Sequence, residues 1–150
     1  MTVRVQKKDF DAGCEIKKLC ADNASIGGVC SFIGLVRETN SDSRINAITL
    51  EHYPGMTEKQ LVKIELEANQ RWQLEGSLII HRYGRVIPNE QIVLVVTASA
   101  HRKDAFESCE FLIDWLKTKA PFWKSEETNK GKKWVQARES DNIATNRWQK

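Results

Sequence analysis

The stretch Thr97–Lys124, TASAHRKDAFESCEFLIDWLKTKAPFWK, carries the pattern from which the fold is read. It leaves the apolar run Ile92-Val93-Leu94-Val95-Val96, a buried strand, and turns through Ser99-Ala100-His101-Arg102 into a helix. That helix is expected to reach about Lys119, because Pro121 disfavours helical geometry at Ala120 and cannot extend the hydrogen-bond ladder. Ala105, Cys109, Leu112 and Leu116 recur at helical spacing, widened by Phe106, Ile113 and Trp115, whereas Lys103, Glu107, Glu110, Asp114 and Lys117 occupy the other face. The middle of the helix is therefore a core element. Its ends are cationic.

At the helix start, His101, Arg102 and Lys103 sit where the dipole is positive, unfavourable by roughly 0.3–1 kcal/mol for each exposed cation, with Asp104 as a partial offset. Free backbone N–H groups beside such charges describe an anion site. At the far end, Lys117 and Lys119 read as ordinary charges at a helix C-terminus, whereas Lys124 follows the stiff segment Pro121-Phe122-Trp123. The two ends lie about 25 Å apart at 1.5 Å per residue, so a shared pocket needs other loops or a second subunit.

Working outward, Thr2–Gln6 alternates as a short strand, and Ile16, Leu19 and Cys20 suggest a short helix. Gly27-Gly28 opens a strand over Val29–Val36, and Arg37–Arg44 is polar throughout and reads as a mobile loop. Ile45–His52 is a strand. Thr57 and Gln60 match a capping box, with Met56 and Leu61 as its staple, ahead of a helix from Glu58 to about Trp72. Its expected core face is Leu61, Ile64, Ala68 and Trp72. Leu78–Tyr83 is a strand on which His81 reads as a structural histidine, and Val86-Ile87 links it to the strand Gln91–Ala98. Ser125–Lys133 suggests a loop or hairpin connection. Trp134–Arg138 reads as a last strand, and 141–150 as a short helix anchored by Ile143, Ala144, Arg147 and Trp148. The order implies an α+β fold with a largely antiparallel sheet and packed helices, in a single domain over residues 1–150.

Composition narrows the classes. With 150 residues, 41% hydrophobic and 29% charged, the chain can build a real core. A net charge of +3 is too mild to imply nucleic-acid binding. Basic residues interleaved with Trp123, Trp134 and Trp148 would suit RNA stacking, but no single basic stripe forms. No apolar run reaches the roughly 20 residues of a membrane span, and MTVRVQKKDFDAG lacks a signal peptide's apolar stretch, so a cytoplasmic location is expected. Cys14, Cys20, Cys30 and Cys109 have no C-x-x-C spacing, and nothing groups them with the three histidines as a metal site. Cys30 and Cys109 read as buried thiols.

Arg37, His101, Arg102, Lys117, Lys124 and Arg138 all fall at element ends or loops, where functional side chains concentrate. Converging, they would form a cationic pocket suited to phosphate, carboxylate or thiocarboxylate groups. A lysine among cations has a lowered pKa, which makes its neutral amine accessible as nucleophile or base. The residues alone lead to a metal-independent anion-binding domain with a lysine available to it.

Five blocks are more specific: GLVR at Gly34–Arg37, LEHYPGMTEK at Leu50–Lys59, SAHR at Ser99–Arg102, LKTKAPFWK at Leu116–Lys124 and WVQARESD at Trp134–Asp141. In this order they resemble the catalytic (large) subunit of molybdopterin synthase, with residues 1–26 matching weakly. The resemblance implies an α/β-hammerhead fold and a self-dimer at the centre of a heterotetramer. Each copy would bind a small ubiquitin-like sulfur carrier whose C-terminal Gly-Gly tail, as a thiocarboxylate, gives sulfur to cyclic pyranopterin monophosphate. Two transfers would form the dithiolene of molybdopterin, with no resident cofactor. It assigns Lys117 and Lys124 to catalysis, and Leu35, Val36, Arg37, His101, Arg102, Ser125, Glu126 and Arg138 to substrate binding. Arg138 matches an arginine expected to enter the partner subunit's pocket. Leu35 stands where relatives can carry a basic residue, which leaves a backbone contact as its expected role.

Overall fold

The computed structural model describes residues 2–40, 43–135 and 138–149, with the side chain of Asn40 left aside. Thirteen elements follow one another among these residues. In order they are β1 (Thr2–Gln6), α1 (Ala12–Cys20), β2 (Gly28–Leu35), β3 (Thr39–Asn40), β4 (Ser43–His52), α2 (Met56–Arg71) and β5 (Gly76–Arg82). Then come β6 (Gly84–Val86), β7 (Gln91–Ser99), α3 (Arg102–Thr118), β8 (Phe122–Thr128), β9 (Gly131–Val135) and α4 (Glu139–Asn146).

The strands form two sheets. The first has the order β1-β5-β7-β2, and only its β1–β5 pair is parallel. Its central strands are buried on both faces, which explains the unbroken apolar run at Ile92–Val96. Ile79, Val93 and Val95 pack on Ile64 and Ala68 of α2 and on Cys109, Phe111 and Leu112 of α3. Leu78, Ile80, Leu94 and Val96 face the opposite way, onto Phe10 and the Ile16–Leu19 side of α1. In the second sheet β4 pairs with β8 along one edge, and with β3 and β6 along the other; β9 continues beyond β8. Val36, Ile45, Ile48, Leu50 and Val86 fill the junction.

The α+β order and the antiparallel majority agree with the sequence reading. Several details differ. Helix α2 starts at Met56, with Gly55 (φ +85°) as its N-cap and the Glu58 carboxylate accepting the Gly55 N–H, so the Thr57–Gln60 box does not form. Thr57 is instead buried in the first turn, where its hydroxyl accepts from Tyr53 N and donates to the Pro121 carbonyl. Phe106, expected in the α3 stripe, is 62% exposed, and Phe111 takes the buried shoulder against Trp72 and Trp148. Residues 84–86 form a strand against β4, not a link. The 37–44 segment contains a short pairing of Thr39 with Arg44, and Ser41 and Asp42 lie outside the described residues. The lysine-rich segment is strand on both sides of a tight turn, since β8 pairs with β9 from Lys124–Val135 to Thr128–Gly131. Arg138 lies at the N-cap of α4 and not on a strand, with Gln136 and Ala137 outside the described residues. Within α4, Ile143 is exposed and Thr145 is buried.

One buried acid has a testable cost. Glu65 of α2 is 1% exposed, and its Oε2 accepts from Ser77 Oγ at 2.9 Å and Thr2 N at 3.2 Å. Burial raises its pKa in spite of these two bonds. A raised carboxyl pKa contributes stability below the unfolded value of 4.5 that is lost as pH rises through the folded value. Glu65→Gln, which keeps an acceptor oxygen, should therefore gain on the wild type as pH increases. The expected gain at pH 8 is about 1 kcal/mol, or roughly 2–4 °C in Tm, shrinking towards pH 4. Thermal melts across that range check it.

Candidate active site

Between the C-terminal half of α3 and the two sheets lies a cavity of about 560 Å³. Lys117, on the last turn of α3, and Lys124, on β8, both line it. So do Arg37, just after β2, and Arg138, at the head of α4. Four cations from four separate segments of the chain thus converge on one space. Its apolar lining comes from Ile113 and Leu116 of α3, Ile45, Ile48 and Leu50 of β4, Ile92 and Val93 of β7, and Phe122. A few charged groups on an apolar, concave wall are the usual make-up of a small-molecule site.

Strand alternation decides what β8 contributes. Phe122, Lys124 and Glu126 line the cavity, whereas Trp123 and Ser125 do not. Glu126 is 2% exposed and is the carboxylate beside Lys124. Burial holds the Lys124 amine below the usual lysine range, and the Lys117 charge lowers it further. Glu126 opposes this shift, while Arg138 and Arg37 add to it. The Lys124 amine is thus easier to deprotonate than a surface lysine. Lys117 is exposed and occupies a favourable end of its helix dipole.

The other expected residues divide. Leu35 is half-exposed and lines the cavity. Val36 does not: its side chain is 3% exposed within the junction core, its N–H donates to the Glu90 carbonyl and its carbonyl accepts from Asn89 N. It fixes Arg37 and leaves no free group for a substrate. Ser125 faces away from the cavity. His101 and Arg102 sit at the opposite end of α3, exposed, in a turn with no side-chain cap. The one-chain cavity does not include them, in keeping with the distance along the helix. Arg138 reaches the cavity of its own chain.

Sequence reasoning overlooked His81 as a cavity residue; it lines the space and is 8% exposed. The signal was the two-residue period of β5, which puts His81 on the same face as Ile79, towards α3. Trp148 packs against Trp72 and Phe111 and is no free stacking platform, unlike the exposed Trp123 and Trp134. Cys109 is buried, and burial pushes its thiol pKa up; Cys30 is half-buried beside it. Among the described residues no three His, Cys, Asp or Glu side chains come together as a metal-holding group. Nor is any described helix long and apolar enough to cross a membrane.

The family model of the MoaE protein matches residues 5–119. The chain belongs to the MoaE family. A molybdopterin synthase catalytic subunit from Ralstonia nicotianae is 54% identical over 147 residues, covering 98% of this chain and 84% of the relative. Among solved structures, the molybdopterin biosynthesis MoaE protein of Burkholderia ambifaria superposes with a TM-score of 0.83. It is 49% identical, and the match covers 99% of both chains. A chain in the complex of subunits 1 and 2 of molybdopterin-converting factor from Helicobacter pylori shares the fold, with a TM-score of 0.71 at 23% identity over 91% of this chain and 90% of that one. MoaE membership makes this chain an enzyme subunit of molybdenum-cofactor biosynthesis, of the catalytic type. The single-domain α+β architecture is the MoaE fold.

Proposed function

We propose that the chain transfers sulfur from the thiocarboxylated Gly-Gly tail of a small ubiquitin-like carrier to cyclic pyranopterin monophosphate. The observation that carries this reading is the convergence of Lys117, Lys124, Arg37 and Arg138 on one cavity. A space of about 560 Å³ is of the size that takes a fused four-ring ligand and the end of an extended peptide. Its cations suit the three negative groups this reaction brings together: the thiocarboxylate, the cyclic phosphate and the oxyanion formed as the acyl carbon is attacked. In each cycle a substrate C–S bond replaces a C–O bond, whose oxygen leaves as water or on the phosphate, and a water molecule then cleaves the carrier's acyl–sulfur bond, so the carrier leaves as a carboxylate. Two cycles build the dithiolene.

The roles follow from placement. Lys117 and Lys124 act at the reacting centre, with Lys124 as the amine more readily deprotonated. Arg37 and Arg138 hold phosphate or carboxylate oxygens in bidentate fashion. Glu126 keeps Lys124 oriented, and the Leu35 backbone borders the entry. Sulfur arrives on the carrier, so this reading needs neither a cysteine nucleophile nor a resident cofactor. His101 and Arg102, on the far end of α3, serve a second copy's cavity in a self-dimer flanked by two carriers. A cytoplasmic location fits a soluble carrier and substrate.

The test is a single-turnover reaction of the chain with cyclic pyranopterin monophosphate and a thiocarboxylated ubiquitin-like carrier, with the pterin product read by mass. Gain of two sulfur atoms that depends on the chain is expected. No gain, with the carrier shown to bind, would reduce the chain to a docking protein.

A further inference from the structure

His81 has three geometric features that a merely packed histidine would not need. It is the last but one residue of β5, on the face turned to α3, and it lines the same cavity as Lys117. The Phe122 ring stacks on it at 3.7 Å and 17°, which fixes the imidazole plane. Its Nδ1 lies 2.8 Å from the Arg82 carbonyl oxygen. A carbonyl can only accept, so Nδ1 carries the hydrogen. Burial, aided by the charges of Lys117 and His52, lowers the pKa to about 4. At neutral pH the ring therefore holds one proton, on Nδ1, and Nε2 keeps a lone pair.

No hydrogen bond to Nε2 occurs among the described residues, and no buried side-chain nitrogen there is left without a partner. Nε2 is therefore the edge of the ring open to the cavity. Around it the cavity is rich in donors, and a lysine ammonium is donor-only. A neutral acceptor can hold such a group without adding charge to the site.

We infer that His81 is a positioning residue of this site: its open Nε2 is the acceptor to which Lys117 Nζ, on the same cavity wall, turns when the carrier's tail enters, aiming that amine at the tail. The Arg82 carbonyl sets the tautomer and Phe122 sets the plane, so the acceptor direction is fixed before substrate enters. The inference rests on the sulfur-transfer reading for what Lys117 is aimed at, but the hydrogen bond itself does not.

Two substitutions separate positioning from packing. His81→Asn puts an amide nitrogen near the Nδ1 position and can retain the Arg82 bond, with nothing at Nε2. His81→Gln brings an amide oxygen near the Nε2 position. Both are assayed in single turnover with saturating thiocarboxylated carrier, alongside carrier Kd and Tm. The expected result is a rate about 10²-fold down for the Asn variant, with Kd and Tm near wild type, and a Gln variant within about tenfold of wild type. A wild-type rate in the Asn variant would overturn the inference, as would a Gln variant that falls at least as far as the Asn one. A third measurement is independent of activity and of these variants' folding. In ¹⁵N NMR of the wild-type chain with the carrier bound, His81 should show protonated Nδ1 and an Nε2 resonance that moves when Lys117→Ala is introduced. An unmoved resonance sinks the inference even if the wild type proves inactive, whereas inactivity with a moved resonance counts only against the sulfur-transfer reading.

Discussion

Lys117→Ala should abolish sulfur transfer, by roughly 10³-fold or more, and leave a folded protein. The two halves of this expectation have separate causes. Lys117 is exposed on the last turn of α3, and among the described residues no carboxylate lies within ion-pair distance of it. Its contribution to the fold is a favourable interaction with the helix end, about 0.3–1 kcal/mol, so Tm should fall by no more than a few degrees. The function lost is larger because the amine sits in the cavity where charge develops, and alanine leaves neither a donor nor a nucleophile. Lys117→Arg is the companion variant. It keeps the charge but replaces the amine with a guanidinium that serves as neither nucleophile nor base, so it should bind the carrier while failing to turn over. Single-turnover rates, carrier Kd and thermal melts on the three proteins check the expectation. Full activity in Lys117→Ala would remove this residue from the chemistry.

The second large effect is on the fold. A Cβ added to Gly27 would lie 2.2 Å from the Ala100 carbonyl oxygen and 3.1 Å from its carbon. Both atoms are backbone, so no rotamer change relieves the contact. The Gly27 N–H also donates to the Ser99 carbonyl at 2.9 Å, which holds the head of β2 against the turn into α3. Gly27→Ala must push these segments apart, at a cost of about 3 kcal/mol or more. A Tm loss on the order of 10 °C is expected. Gly28→Ala is the control one residue along. Its Cβ would meet Arg102 Cα at 3.6 Å, an ordinary contact, and should cost far less. Equal melts for the two variants would refute the steric account. The displaced turn carries His101 and Arg102, so any role of those residues should weaken together with the fold.

How much of this was legible in the sequence depends on whether a neighbour in the chain or a distant one decides. The body of α3 follows from its apolar period and from Pro121, and it ends at Thr118, close to the expected Lys119. Which shoulder of the stripe is buried does not follow. Phe106 and Phe111 are equally apolar, and the choice of Phe111 is made by Trp72 and Trp148, 39 residues before it and 37 after it. The β8–β9 hairpin was obscured for another reason. Its outer strand, GKKWV, has only Val135 half-buried, and lysines on an edge strand read as loop although they also guard the edge. The candidate site shows the same division. Each cation could be placed at an element end, but their meeting is a product of sheet topology. His81 was read as structural because an isolated histidine in an apolar strand gives no hint of what its far edge will face.

The two-residue period of β8 has a consequence for how such chains can vary in length. Lys124 and Glu126 face inward, with Trp123 and Ser125 outward, and His52–Phe122 and Glu51–Trp123 set their pairing with β4. Deleting Phe122 would turn the strand over, hiding both charges from the cavity and driving the Trp123 indole into it. An insertion at Asn129–Lys130 lies beyond the last paired residues and changes neither face. Homologous chains should therefore gain and lose residues at that hairpin tip, while the seven-residue step from Lys117 to Lys124 keeps its length as strictly as a reading frame.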